Sequence, residues 1–325
     1  MSEKIDIFAP KISKVIKGLE GKVILVYGGN NLGKTLQGTR MKKPLVLPFE
    51  SGLNAISGVP YVPVNSWADF KKYNKQLTGK KTVKKAREAY QTIIFDEIEA
   101  SARYCQDYIC NKYQAESIKS GNEGYGLWKE YEVEYWREIN KLTSVGYTIY
   151  FIAHEDKDKD TGQIIPKGDK RALDPIRDLA DFTIYLHSNG VDENGKVLKS
   201  SAYLAETPHF FARSRFTYAD TVIPEYTAEN LEKVIIEAIE REEKAGGIKA
   251  ITFNEFQAEN VIDLDYDDIM EQLKDEYRRL ATLDKLDEYI KVVEDHLGEG
   301  RKISEATKDQ VEILDLILDD LEDIE

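Results

Sequence analysis

Lys34 and Thr35 close an eight-residue run, Gly28-Gly29-Asn30-Asn31-Leu32-Gly33-Lys34-Thr35, that fits G-x-x-x-x-G-K-[ST] at every fixed position. Glycines let the backbone curl until successive N–H groups face one point, which makes a nest for anions. The first turn of a following helix adds its own free N–H groups and dipole. A lysine at this place reaches β- and γ-phosphates, and the hydroxyl beside it holds Mg²⁺. The expected ligand is therefore ATP with Mg²⁺, contacted by Gly28, Asn30, Asn31, Gly33, Lys34, Thr35 and Leu36.

A carboxylate must face that hydroxyl. Thr92-Ile-Ile-Phe-Asp96-Glu97 supplies one about 60 residues further on: an apolar strand ending in Asp, the Walker B arrangement. Such a carboxylate leaves the C-terminal edge of its strand beside the phosphate loop and holds Mg²⁺ through water. Thr35 and Asp96 are the expected metal pair. Glu97 is a candidate for orienting the attacking water.

Placing these groups requires a parallel sheet. Gly21-Lys-Val-Ile-Leu-Val-Tyr27 is β-branched and almost wholly apolar, as a central strand buried on both faces should be. Residues 44–49, 61–64, 92–96, 147–153, 182–186, 199–206 and 209–216 read as further strands. Helices are expected over 12–19, from Leu36 to Met41, from near Ser66, from about Ser101, over 127–142 and over 174–180. The Ser66 to Asp69 spacing is a helix-start signal. Residues 156–169 and the glycine-rich Ser120-Gly-Asn-Glu-Gly-Tyr125-Gly126 read as surface loops. Strands alternating with helices, then antiparallel-looking strands, describe a doubly wound α/β domain with a mixed sheet over residues 1–227. Residues 228–325 read as an acidic helical region, with pieces at 228–245, 262–280, 283–297 and 303–324. The stripe Leu314, Ile317, Leu318 and Leu321 reads as packing.

Charge separates the same two parts. The chain of 325 residues has a formal net charge of −14. Residues 228–325 hold 12 Lys+Arg against 30 Asp+Glu, a balance of −18; the remaining 33 and 29 leave +4. A mildly basic first part keeps a polyanion partner open. Lys71, Lys72, Lys75, Lys80, Lys81, Lys84, Lys85 and Arg87 form a dense run that reads as a solvated helix face or as a phosphate-backbone surface. Cys105 and Cys110, five apart, face differently on a helix and read as reduced core thiols. No apolar run approaches a bilayer span, and Met-Ser-Glu-Lys-Ile-Asp has no signal-peptide core, so a cytoplasmic protein with no membrane partner is expected.

The order of these parts resembles the RecA-like ATPases, and within them the phage-encoded AAA-type nucleotide-binding proteins of the Sak-type single-strand annealing and recombination family. The resemblance spans about residues 20–220. It implies a RecA-like fold and a location in the host cytosol. It implies that Glu50, in Pro48-Phe49-Glu50-Ser51-Gly52-Leu53, activates water at the end of the second strand, with Glu97 as competitor. It makes His154 a γ-phosphate sensor. It makes Arg213 and Arg215, in Ala212-Arg213-Ser214-Arg215, cations that reach a neighbouring subunit's nucleotide in a ring or filament. The departures are Pro-Phe-Glu where Asp-x-Glu is usual and His where relatives carry Gln. Residues beyond about 227 lie outside the resemblance.

A DNA surface is then expected in the two segments after Walker B and after His154. Lys112, Tyr113, Lys119, Tyr125, Lys167, Lys170 and Arg171 supply cations for phosphates and aromatics for base stacking. Asp156, Asp158 and Asp160 oppose that unless they turn away or bind metal. The leading expectation is an ATP-hydrolysing, single-stranded-DNA-binding annealing or recombination protein. The acidic region would compete with DNA or engage a single-strand-binding protein. The alternatives are a nucleotide-switched oligomeric scaffold, or a P-loop kinase or helicase-loader-type ATPase acting on a protein partner.

Overall fold

The computed structural model describes residues 8–50, 52–260 and 264–324. The Met1–Asp6 lead, Ser51 and the expected helix start at Ile262 lie outside them. The chain forms two compact units, Ser13–Phe256 and Met1–Ile12 with Gln257–Glu325.

The Ser13–Phe256 unit is built on one mixed sheet. In chain order it has β1 (Val23–Gly28), α1 (Lys34–Gly38), β2 (Pro44–Pro48), α2 (Trp67–Thr78), α3 (Val83–Ala89), β3 (Thr92–Asp96), α4 (Ile98–Tyr113), α5 (Trp128–Thr143) and β4 (Thr148–Ala153). There follow β5 (Glu155–Lys157), β6 (Ile164–Pro166), α6 (Lys170–Leu179), β7 (Phe182–His187), β8 (Ser201–Tyr203), β9 (Arg213–Ser214), β10 (Val222–Ile223) and α7 (Ala228–Gly246). The division between units falls within α8 (Phe253–Asn260). The strand order is β10-β8-β7-β1-β4-β3-β2, with β9 also on β7. β7, β1, β4, β3 and β2 are parallel; β8 and β9 run antiparallel to β7. This is the mixed α/β sheet of P-loop AAA and RecA-like proteins, as the strand–helix alternation predicts.

Side-chain alternation assigns the two faces of β1. Val23, Leu25 and Tyr27 enter one core with Trp67 and Phe70 of α2, Cys105 of α4, Tyr131 and Tyr135 of α5 and Ile176 of α6. Ile24 and Val26 enter the other with Leu231, Ile235 and Ile239 of α7. Every residue of β1 is buried, which is why its apolar run is unbroken. Helix starts follow their signals: Ser66 Oγ accepts from Asp69 N, Asp169 from Arg171 N and Thr227 Oγ1 from Asn230 N.

The expected division at 227/228 is corrected, because α7 covers the second face of the sheet. The chain beyond it packs there too. Ala250 is buried in the same core, and a Cβ at Gly146 would stand 2.3 Å from the Phe253 ring.

Other expectations change where long-range pairing overrides local pattern. Residues 12–19 form no helix; Lys17 N donates to Ile251 O at 2.7 Å and Ile251 N to Val15 O at 2.9 Å. Residues 61–64 make only a bridge, Val46 to Tyr61, because Pro60 and Pro63 lack the N–H a ladder needs. The polar segment 156–169 folds into the β5–β6 hairpin, its turn closed by Asp158, which accepts from the N–H groups of Asp160 and Thr161. The expected strand 209–216 shortens to β9, because residues 209–211 pair instead with Ile164 of β6. Helix α6 begins at Lys170 rather than Asp174.

In the other unit, α9 (Tyr266–Thr282), α10 (Leu286–Leu297) and α11 (Val311–Glu322) share a small core. Leu314, Ile317, Leu318 and Leu321 are all buried in it, so the stripe is packing. Cys105 is buried, Cys110 half-buried, and both are free thiols. Among the described residues no helix is long and apolar enough to cross a membrane.

Candidate functional site

The phosphate loop leaves β1 where its neighbours diverge, β4 on one side and β7 on the other. That is the crevice at which open α/β sheets bind ligands. A side chain at Gly28 would meet Leu186 O at 2.7 Å, so the strand end tolerates only glycine. Asn31 (φ 61) and Gly33 (φ 88) take left-handed conformations that curl the loop. Helix α1 has five residues, Lys34–Gly38, and stops short of the expected Met41. The backbone nest therefore contributes more than a helix dipole does.

Lys34 is buried, and its Nζ donates to the carbonyls of Gly28 at 2.8 Å and Gly29 at 2.6 Å. Burial lowers its pKa, with Glu97 and Asp96 opposing. Thr35 Oγ1 donates to Asp96 Oδ2 at 2.9 Å. Burial raises the Asp96 carboxyl above the usual carboxylate range, partly offset by that bond. A hydroxyl and a carboxylate form a hard oxygen pair suited to Mg²⁺. Asn30, Asn31, Gly33, Leu36, Glu50, Glu97 and His154 also line this cavity of about 570 Å³. Gly28 serves it through its carbonyl contact with Lys34.

Glu50, Glu97 and His154 converge there, each offering a ligand atom within 4.8 Å of the others. His154 Nε2 lies 3.0 Å from Glu97 Oε2. Glu97 is 3% exposed; burial first, then Glu50, pushes its carboxyl up to about 8. Burial, then Lys34, lowers His154. Both shifts favour the uncharged forms, an acid for Glu97 and a neutral imidazole for His154. Glu50 is the exposed member, 3.4 Å from Arg103 Nη2.

The family described as an AAA domain matches residues 20–216. The chain belongs to the AAA domain family. That span holds every group of the cavity, and it makes the protein a nucleotide-binding P-loop ATPase by family. The chain is also 58% identical over 321 residues, 98% of each chain, to a Bacillus subtilis (strain 168) protein described as "SPbeta prophage-derived uncharacterized protein YorG".

Within the AAA domain the structure adds groups that the sequence pattern does not single out. Tyr150 OH, fully buried on β4, donates to Lys34 O at 3.1 Å and lies 2.6 Å from Tyr226 OH. Ser200 Oγ donates to Leu32 O at 3.1 Å, and Ala228 N donates to Gln37 Oε1 at 3.0 Å. The phosphate loop is thus tied to the start of α7. Tyrosine in an apolar strand carries no sequence signal of such a bond. Ala55 and Ile56 add an apolar wall to the cavity. Arg103 and Glu99, 3.3 Å apart on α4, continue from Glu50 to Lys167, whose Nζ lies 3.0 Å from Glu99. The i, i+4 spacing of Glu99 and Arg103 is legible; their alignment with Glu50 is not.

Arg213 and Arg215 stand at the other end of the strands. Arg213 pairs with Thr183 near the start of β7, whereas the loop leaves β1 level with Leu186. Both guanidiniums donate to Asp178 O at the C-terminal turn of α6, Arg213 at 3.3 Å. Cations suit that end of a helix. They do not approach the phosphate loop of their own chain.

The expected DNA residues form two groups. Lys112 lies 5.2 Å from the Tyr113 ring at the end of α4. Arg171 stacks on Trp128 at 4.5 Å, and Tyr131 OH donates to Asp169 at 3.3 Å. These contacts bring the start of α6 to the start of α5, three residues from Tyr125, which is 85% exposed. Lys119 and Lys170 are exposed, and Lys167 is held by Glu99. Trp128 is an aromatic that the sequence pattern does not single out.

Proposed function

We propose that this chain is a phage-encoded, Mg²⁺-dependent ATPase of the host cytosol that binds single-stranded DNA and promotes annealing or recombination. The observation that carries the ATPase reading is the 2.9 Å pairing of Thr35 with Asp96 beside the buried Lys34. Bound between Thr35 and Asp96, Mg²⁺ would supply positive charge to the β- and γ-phosphate oxygens. Lys34 places its charge on the same oxygens. Of the two carboxylates, Glu97 is buried against His154, where burial disfavours its charge, so the exposed Glu50 is the better placed to orient water. His154, 3.0 Å from Glu97, would face the γ-phosphate of a bound nucleotide. Arg213 and Arg215 would act on a neighbouring copy's nucleotide, in a ring or filament; arginine fingers contribute roughly 10³–10⁵ in rate.

The prophage-derived description of the Bacillus subtilis relative supports the phage source. The exposed Tyr125 and the Arg171–Trp128 stack support a single-strand surface, joined by Lys112, Tyr113, Lys119, Lys167 and Lys170. A second reading, a nucleotide-switched scaffold or helicase-loader-type ATPase, is favoured by the buried bonds that link Lys34 through Tyr150 to Tyr226 and join Gln37 of α1 to the start of α7. ATP turnover with and without oligo-dT separates the two. Stimulation supports the first reading, and turnover indifferent to DNA supports the second. Lys34→Ala should weaken ATP binding by about 10- to 100-fold, as loss of a charged hydrogen-bonding partner does. Unchanged affinity would remove the basis of both readings.

A further inference from the structure

Residues 257–325 hold 23 Asp+Glu against 8 Lys+Arg, a balance of −15. Against that field, a groove of about 760 Å³ between α9 and α10 carries the opposite sign. Lys274, Arg278, Arg301 and Lys302 line it, four of the segment's eight basic residues. Glu294 is the single acidic residue in that lining, and its Oε1 is already engaged by Gly300 N at 2.9 Å. The floor is apolar, formed by Leu273, Leu286, Val293 and Ile303. Two of its large side chains remain open to water, Tyr277 at 46% and Ile290 at 50% exposed. Tyr277 is held edge-on against Tyr289, with ring centroids 5.2 Å apart.

We propose that this groove docks an acidic peptide of a partner protein, one in which carboxylates flank bulky apolar side chains. Apolar anchors of such a segment would cover Tyr277 and Ile290, as in helix-in-groove recognition. Its carboxylates would meet the rim cations. Lys274 and Lys302 hold no ion pair among the described residues. Arg278 and Arg301 pair with Asp275 at 2.8 Å and Glu305 at 3.8 Å, within their own segments and in contact with solvent. Exposed pairs of that kind exchange readily for a better-placed carboxylate. A nucleic-acid strand fits less well: its charge repeats beyond the rim and would run onto the acidic surface, and the two lining tyrosines, Tyr277 and Tyr289, meet edge-on at 73° rather than as parallel stacking plates. The contact this unit makes is therefore basic and local, the reverse of what its overall acidity suggests.

The test uses the full-length protein and a fluorescein-labelled decapeptide alternating Asp with Leu or Phe, followed by anisotropy. Saturable binding is expected, weakened about tenfold or more by Lys274→Glu with Lys302→Glu, and separately by Ile290→Asp. All three positions are exposed, and unchanged melting curves confirm folded variants. The proposal is overturned by absence of saturable binding, by variants that bind as the parent does, or by equal binding of an Asp/Ser decapeptide. Oligo-dT bound through the same residues overturns it in favour of nucleic acid. Self-association lost in Ile290→Asp overturns it in favour of an interface between copies. ATP turnover is read in parallel, and a failure there leaves the peptide result standing.

Discussion

Glu97→Gln should free the stability of the Ser13–Phe256 unit from much of its pH dependence. Burial and Glu50 lift the Glu97 carboxyl from 4.5 to about 8 in the folded protein. The unfolded chain releases that proton near 4.5 and the folded chain keeps it to about 8. Folding therefore takes up close to one proton between these values, and each pH unit in the window removes about 1.4 kcal/mol of stability. The contribution is fully present below the unfolded pKa and lost as pH rises through the folded one. From pH 5.5 to 7.5 the loss is about 2–3 kcal/mol, which glutamine, having no proton to release, escapes. Trp67, Trp128 and Trp136 are the protein's three tryptophans and all lie in this unit, so urea unfolding followed by their fluorescence reports it alone. The variant should gain on the wild type by about 2–3 kcal/mol across that range. Curves that stay parallel from pH 5.5 to 8 would refute a buried, proton-holding Glu97, and with it the assignment of water orientation to Glu50.

Three further outcomes are expected. Tyr150→Phe removes a bond to the Lys34 carbonyl and strands the Tyr226 hydroxyl in the core; it should cost about 1–3 kcal/mol in the same fluorescence assay, and a negligible change would mean those bonds carry no weight. Arg213→Ala with Arg215→Ala should cut ATP turnover by about 10³-fold or more at unchanged ATP affinity if the pair acts on a neighbouring copy. A loss of about 0.3–1 kcal/mol in stability with turnover intact would mean that they only complete the end of α6. Truncation after Phe256 should tighten binding to oligo-dT in a filter assay, by removing −15 of charge. Equal or weaker binding would dispose of competition by the acidic region. Truncation after Gly247 would be no fair test, since it strips Ala250 and Phe253 from the core.

Short-range chemistry was legible in the residues themselves. A loop that must curl around phosphate demands glycines, a lysine and a hydroxyl at set spacing, and nothing distant alters that demand. The same holds for β1, whose burial on both faces excludes polar residues, and for the Asp that ends β3. The Ser66 start of α2 and the buried stripe of α11 are likewise local patterns read correctly. What depends on distant partners was not legible. The raised pKa of Glu97 follows from burial and from Glu50, and the ends of separate strands bring Glu50, Glu97 and His154 within 4.8 Å. The Tyr150–Tyr226 bond joins positions 76 residues apart through a fully buried contact. Residues 12–19 look helical alone but pair with Ile251, and α7 looks separable but covers half the sheet. Local pattern specifies which groups a segment can offer; only the folded sheet, by burying some and aligning others, decides which charge, proton or neighbour each one ends up with.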